Sequence, residues 1–206
     1  MIVPIKTELG EERAWDILCT LDPEDVCKRA GISYDSGTTL YQITSFGIEF
    51  SLSLSEKDIT TDSSMGEIFL SELRHLFRLS VLWYLINAKD IPFTENLVRP
   101  HDIKGGQRFS GGTYRLPLDE IEKRYGNDKE AFLKRGKEFG AELIEYGDVA
   151  VRLFPLPRIP VSILLWLEDD EFPARADLLF DSSCEFHIDV SDILWAIAVM
   201  SIKVML

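Results

Sequence analysis

Cysteine is scarce in this 206-residue chain: Cys19, Cys27 and Cys184 are the only three. The number is odd and no Cys-x-x-Cys occurs, so neither a disulfide framework nor a closed metal site is expected. Cys19 and Cys27 fall on neighbouring predicted helices and could meet, but they read as buried free thiols, in keeping with a reducing compartment. Histidine is as rare. His75 falls in a predicted helix beside Arg74 and Arg78, His187 reads as a satisfied sheet-edge side chain, and His101 alone sits where chemistry could use it. No His-Glu-x-x-His or Gly-x-Ser-x-Gly is present, which argues against a zinc protease and an ordinary serine hydrolase but not against enzymes in general. Basic charge is in deficit, 22 Lys and Arg against 35 Asp and Glu, for a formal net charge of -13. Such a surface repels DNA, RNA and anionic lipid at long range. No nucleic-acid and no membrane partner is expected, while a basic protein partner stays open. The longest apolar run, Ile193 to Leu206, is interrupted by Lys203 and falls short of the roughly 18–20 residues that span a bilayer. Met1 to Lys6 lacks the basic-then-apolar order of an export signal, so a cytoplasmic location is expected.

What is present suits one folded α+β domain over residues 1–206. Hydrophobic residues make up 46% and charged residues 28%, enough for a proper core without disorder. Helices are predicted over Glu8–Thr20, capped by Thr7, and after Asp22-Pro23 up to Gly31. Alternation over Leu40–Leu54 predicts a hairpin turning near Ser45-Phe46-Gly47. Glu67–Ala88 reads as the longest helix, and Asp90–Tyr114 as a long loop. Helices over Pro117–Tyr125 and from a cap at Asn127 to Phe139 precede strands over Glu142–Tyr146, Val149–Phe154, Val161–Leu167 and Asp177–Phe180. Asp189 is expected to cap a last helix too apolar to face water, buried in this core or against a second copy, so a homodimer through it is possible. Strands come in runs, which predicts a largely antiparallel sheet with helices on one face and not a doubly wound nucleotide fold.

The segment Arg99–Arg115 is the first candidate site. It holds Arg99, Lys104, Arg108 and Arg115 against Asp102 alone, a local charge of +3 (four cations less one acid) in a chain of -13. Gly105, Gly106, Gly111 and Gly112 would let backbone N–H groups approach a ligand. A helix starts shortly after. These are parts of a cradle for a phosphate or carboxylate, although neither the Walker nor the dinucleotide pattern occurs. The alternative is turn glycines with arginines paired to surface acids. The second candidate is the acidic turn after Trp166: Glu168, Asp169, Asp170 and Glu171, with Asp181 nearby if adjacent strands pair. Carboxylates at a strand end can bind a hard cation or act as general acid and base. Successive strand residues point to opposite faces, so the four cannot converge without a turn, and a solvated acidic turn is the alternative.

The order of Gly106 to Gly111, Leu116-Pro117-Leu118-Asp119, Arg124-Tyr125-Gly126, Gly147-Asp148, Leu156 to Pro160, Trp166 to Ala174 and Leu179-Phe180-Asp181 resembles an uncharacterised family of anaerobic bacteria and archaea, domain of unknown function 3786. The resemblance implies a cytoplasmic protein that acts alone or beside iron–sulfur and corrinoid one-carbon modules. It carries over no active site, and this chain has no cysteine array for a cluster. Two functions follow. One is a binding or accessory module holding an anionic small molecule, such as a corrinoid's acid groups, at Arg99–Arg115, with the acidic turn walling the pocket or meeting a protein partner. The other is an enzyme using the acidic turn for a metal or as general base, the arginines neutralising a substrate anion. The cofactor is left unknown.

Overall fold

The structure, a computed structural model, describes residues 7–206, the side chains of residues 7–9 excepted; the expectations placed on Met1–Lys6 and on the capping side chain of Thr7 lie outside what is described. Local signals set the first elements. Helix α1 spans Thr7–Leu18. Helix α2, Pro23–Ala30, opens where the Asp22 carboxylate accepts the Glu24 N–H at 3.3 Å and closes at Gly31 with φ +66. Strands β1 (Ser33–Asp35), β2 (Leu40–Ser45), β3 (Ile48–Ser53) and β4 (Asp58–Thr60) form an antiparallel meander in chain order. Its β2–β3 turn is Phe46-Gly47, with φ +51 and +71, the two positive values a tight hairpin turn asks for. Phe46 holds that conformation because its ring is fully buried and stacks on Phe69 at 5.1 Å.

The predicted long helix is two helices, α3 (Glu67–Leu70) and α4 (Arg74–Asn87). At the break the Ser71 hydroxyl donates back to the Glu67 carbonyl at 2.7 Å, a bond that competes with helix propagation. Arg78 of α4 is almost fully buried; it binds Glu11 at 2.6 Å and Asp58 at 2.5 Å, tying α1 and β4 to the core helix.

The second sheet has five strands: β5 (Leu97–Val98), β6 (Glu142–Ile144), β7 (Val149–Leu156), β8 (Ile159–Trp166) and β9 (Arg175–Asp181), in the order β5-β9-β8-β7-β6, all antiparallel. The fold is α+β as the sequence predicts, with two antiparallel sheets where one was expected. Pro155 and Pro160, outside the predicted strands, lie inside β7 and β8. β7 runs on to pair Leu156 with Ile159, and the cost of a proline is absorbed by a register shift between Leu153 and Leu156. That irregularity presents carbonyls to the first sheet. Phe154 accepts the Phe46 N–H at 2.8 Å, and Pro155 accepts the Ser45 hydroxyl at 2.6 Å.

Four helices complete the chain: α5 (Leu118–Tyr125), α6 (Lys129–Glu138), α7 (Cys184–His187) and α8 (Ser191–Met205). Asp128, not Asn127, caps α6, accepting the Ala131 N–H at 2.9 Å. Asp189 does not cap α8. Val190 is the extended residue before its first turn, so the Asp189 carboxylate stands one residue too early. Thirteen of the 15 residues of α8 are buried, packed against α4, α5 and α6 and against β7 and β8. The chain itself covers this helix, which leaves it no apolar face for a second copy. No helix among the described residues is long and apolar enough to cross a membrane.

Candidate functional site

The site begins where β5 stops. Val98 pairs with Phe180 of β9, and the ladder ends there. Two residues on, the position that would pair with Leu178 is Pro100, which has no N–H to give. The chain leaves the sheet and turns through two short 3-10 segments, Gly106–Ser110 and Gly112–Tyr114, before α5. The gap between the departing loop, the start of α5 and the uncovered edge of β9 is a cleft of about 300 Å³. Arg99, His101 and Arg115 line it together with Asp119 and Glu122 of α5 and Asp177 and Leu178 of β9; Phe109 and Leu116 are its buried apolar lining.

Of the four cations singled out in the sequence, Arg99 and Arg115 reach this cleft. Neither forms a side-chain hydrogen bond or ion pair among the described residues. Arg108 does not reach it. Its guanidinium lies on the first turn of α8, 3.0 Å from the Ser191 hydroxyl and 3.3 Å from Asp192, over the Tyr114 ring at 5.4 Å. Lys104 does not line the cleft, and its backbone N–H goes to the Glu185 carboxylate at 2.7 Å. The first glycine pair serves packing. A Cβ on Gly106 would stand 1.8 Å from the Pro100 carbonyl oxygen, and one on Gly105, at φ +78, would stand 2.9 Å from the Ser191 hydroxyl. The Gly106 N–H is spent on the Ile103 carbonyl at 2.9 Å. Gly111 and Gly112 are exposed with open space around them, and neither lines the cleft.

The carboxylates of the cleft have local partners. Asp119 binds Lys123 at 2.8 Å, and Asp177 binds Arg175 at 2.6 Å. Glu122 accepts the Ala176 N–H at 3.0 Å. The hydrogen bond from Lys123, then its charge and after that the charge of Arg115, hold the Asp119 carboxyl below its ordinary range against a smaller effect of burial. None of the three was singled out in the sequence. Asp119 and Glu122 could have been, because they lie three apart on a predicted helix directly after Arg115. Leu178 becomes visible only with the strand register.

The acidic turn is a separate structure. Asp169 folds it on itself, its Oδ1 accepting the N–H groups of Glu171 at 2.8 Å and Phe172 at 2.7 Å. Glu168, Asp169, Asp170 and Glu171 are exposed, and none lines the cleft. Trp166 packs under Arg175, 5.1 Å from its ring centre, whereas Phe172 is 66% exposed. Asp181 is not near this turn. Pairing of Trp166 with Arg175 puts the turn at one end of β9, and pairing with Leu97 puts Asp181 at the other, roughly 20 Å along a strand of that length. Asp181 is buried and accepts N–H and hydroxyl bonds from Thr94 and Ser183, between 2.6 and 3.1 Å. Among the described residues no three His, Cys, Asp or Glu side chains gather to hold a metal ion.

The other histidines stand apart from the cleft. His75 is exposed. His187 is not on a sheet edge but in α7, fully buried; its Nδ1 accepts the Lys89 N–H at 3.2 Å and its Nε2 has no partner. Burial pushes its pKa down to about 4, so it stays neutral. The three cysteines are unpaired; Cys184 is buried and Cys27 partly so, but Cys19, expected to be buried, is exposed near the end of the first helix.

Fold and cleft together define an α+β protein with a small charged cleft at the open edge of an antiparallel sheet. Residues 22–203 match the family described as "Domain of unknown function (DUF3786)", and the chain belongs to that family. The match contains every residue that lines the cleft. No curated protein and no solved structure matches the chain.

Proposed function

We propose that the protein is a cytoplasmic ligand-binding or accessory module that holds a small organic anion between Arg99 and Arg115. One observation carries the reading. Two arginines that form no ion pair among the described residues share one cleft, in a chain whose net charge of -13 disfavours anions elsewhere. At about 300 Å³ the cleft is at the small end of ligand sites. A whole corrinoid is too large for it and would enter only by a carboxylate-bearing arm. The setting in anaerobic one-carbon metabolism rests on the family resemblance alone.

Arginine–carboxylate hydrogen bonds contribute about 1.5–3 kcal/mol each when water is excluded and less at exposed side chains such as these. Arg99→Ala and Arg115→Ala should each weaken binding of a small carboxylate roughly tenfold, measured by calorimetric titration with acetate, succinate and inorganic phosphate as probes. Added salt should weaken it further. Arg108→Ala should leave it unchanged, since that guanidinium is engaged by α8. Equal losses at Arg108 and Arg115, or no binding of any of the three anions, would defeat the proposal.

A further inference from the structure

The register of β9 says more about the ligand. Backbone groups of a strand point alternately to its two neighbours. The Ala176 N–H leaves the sheet for Glu122, and the Ser182 N–H goes outward to the Asn96 carbonyl at 2.9 Å. Residues 176, 178, 180 and 182 therefore direct their N–H and C=O groups away from β8. Phe180 meets β5 at Val98. Leu178 has no ladder partner on that side and no other hydrogen bond to its backbone there among the described residues, because Pro100 stands where its partner would be. A strand carbonyl without a donor calls for one from elsewhere. Beside it is Glu122, half-buried, with one carboxylate oxygen on the Ala176 N–H and no cation within ion-pair distance among the described residues. The lining of the cleft thus holds two cations and a carboxylate that form no ion pair among the described residues, beside a strand position without its ladder partner.

We infer that the cleft is built for a small zwitterion, a free amino acid whose carboxylate meets Arg99 and Arg115 and whose ammonium meets Glu122 and the Leu178 carbonyl. This rests on the anion reading above and narrows it. A simple carboxylate satisfies the arginines but brings its charge towards Glu122 and gives the Leu178 carbonyl no donor. An amino acid supplies all three needs on one compact skeleton, which suits the volume. A peptide terminus offers only one of the two charges at a time, so a free amino acid is the better fit.

The test pairs each proteinogenic amino acid with its des-amino carboxylic acid, alanine with propionate for instance, in calorimetric titrations of the whole chain. At least one amino acid should bind ten times or more tighter than its des-amino partner. Glu122→Gln keeps an oxygen for the Ala176 N–H, so the fold should survive. It should erase that tenfold preference, weakening the amino acid and, with the Glu122 charge gone, leaving its des-amino partner bound no less tightly than before. If the des-amino acids bind as tightly as the amino acids, the zwitterion inference falls and the anion reading stands. If no carboxylate of either kind binds, both fall. Should Glu122→Gln fail to fold, the paired titrations on the natural chain still decide the question.

Discussion

Asp181 offers the sharpest test of how the cleft is held open. Its Oδ1 accepts the Thr94 N–H at 3.1 Å, the Thr94 hydroxyl at 2.9 Å, the Ser183 N–H at 2.9 Å and the Ser183 hydroxyl at 2.6 Å. These bonds fix the segment that leads into β5, and so place Arg99. In Asp181→Ala the hydroxyls can turn to other acceptors, and the Thr94 N–H, on an exposed residue, can turn to water, but the Ser183 N–H is left stranded in a buried site. At about 1–3 kcal/mol for that donor, the variant should lose about 1–3 kcal/mol, a sizeable share of a typical stability of about 5–15 kcal/mol. Asp181→Asn keeps an acceptor oxygen and should lose less, about 1–2 kcal/mol. Acid gives a second reading. Burial pushes the Asp181 carboxyl up, but the bonds from Ser183 and Thr94 together outweigh it and hold the group below its ordinary value. Its contribution is therefore fully present above the unfolded pKa, about 3.9, and is lost as pH falls through the lower native value. Urea unfolding from pH 7 to pH 3 measures both. A loss under 1 kcal/mol in Asp181→Ala, or an Asp181→Asn profile as steep in acid as that of the natural chain, would refute the reasoning.

Gly140→Ala should cost about 2–4 kcal/mol, because it places a Cβ at φ +66 and 3.0 Å from the Gly47 Cα, where the turn after α6 meets the β2–β3 turn. Gly111→Ala, with open space around it and an extended backbone, should stay within about 0.5 kcal/mol in the same thermal unfolding assay; equal losses would overturn the close-contact argument. Burial, with the Glu185 and Asp181 charges, pushes the Cys184 thiol up to about 12. Iodoacetamide at pH 8 should therefore label exposed Cys19 in the native protein and spare Cys184, and labelling of both at one rate would contradict the burial.

Features whose cause lies within a few residues were legible in the sequence. Asp22-Pro23 and Gly31 bound α2, and Phe46-Gly47 turns the first hairpin, because caps and turns are local chemistry. Features decided across the chain were not. Ser71 breaks a helix that hydrophobic periodicity alone carries through. Pro155 and Pro160 sit inside strands, since a bulge and a partner sheet accommodate them. At the site, charge density pointed to the right segment but could not sort its members. Arg108 was lost to Asp192, 84 positions away, and Gly105 and Gly106 to the packing of Ser191 and Pro100. Glu122 entered unannounced, through a backbone N–H on a strand 54 residues later.

The open edge of β9 raises a purely structural account of these charges, and the pairing pattern weighs against it. Uncovered strand edges invite pairing with other chains, and charged side chains are one way to blunt them. Glu122 does so by capping the Ala176 N–H, and Arg175 with Asp177 adds a charged pair on the same strand. Edge protection of that kind is complete with neutral totals, and Asp177 shows it by taking a cation from two residues away. Arg99 and Arg115 gain nothing from such a role. As like charges around one small cleft they repel each other, and Asp119 and Asp177 offer them no ion pair: both are bound to Lys123 and Arg175, although Asp119 still feels the Arg115 charge. A ligand that brings its own carboxylate relieves that repulsion, and one that also brings an ammonium relieves Glu122.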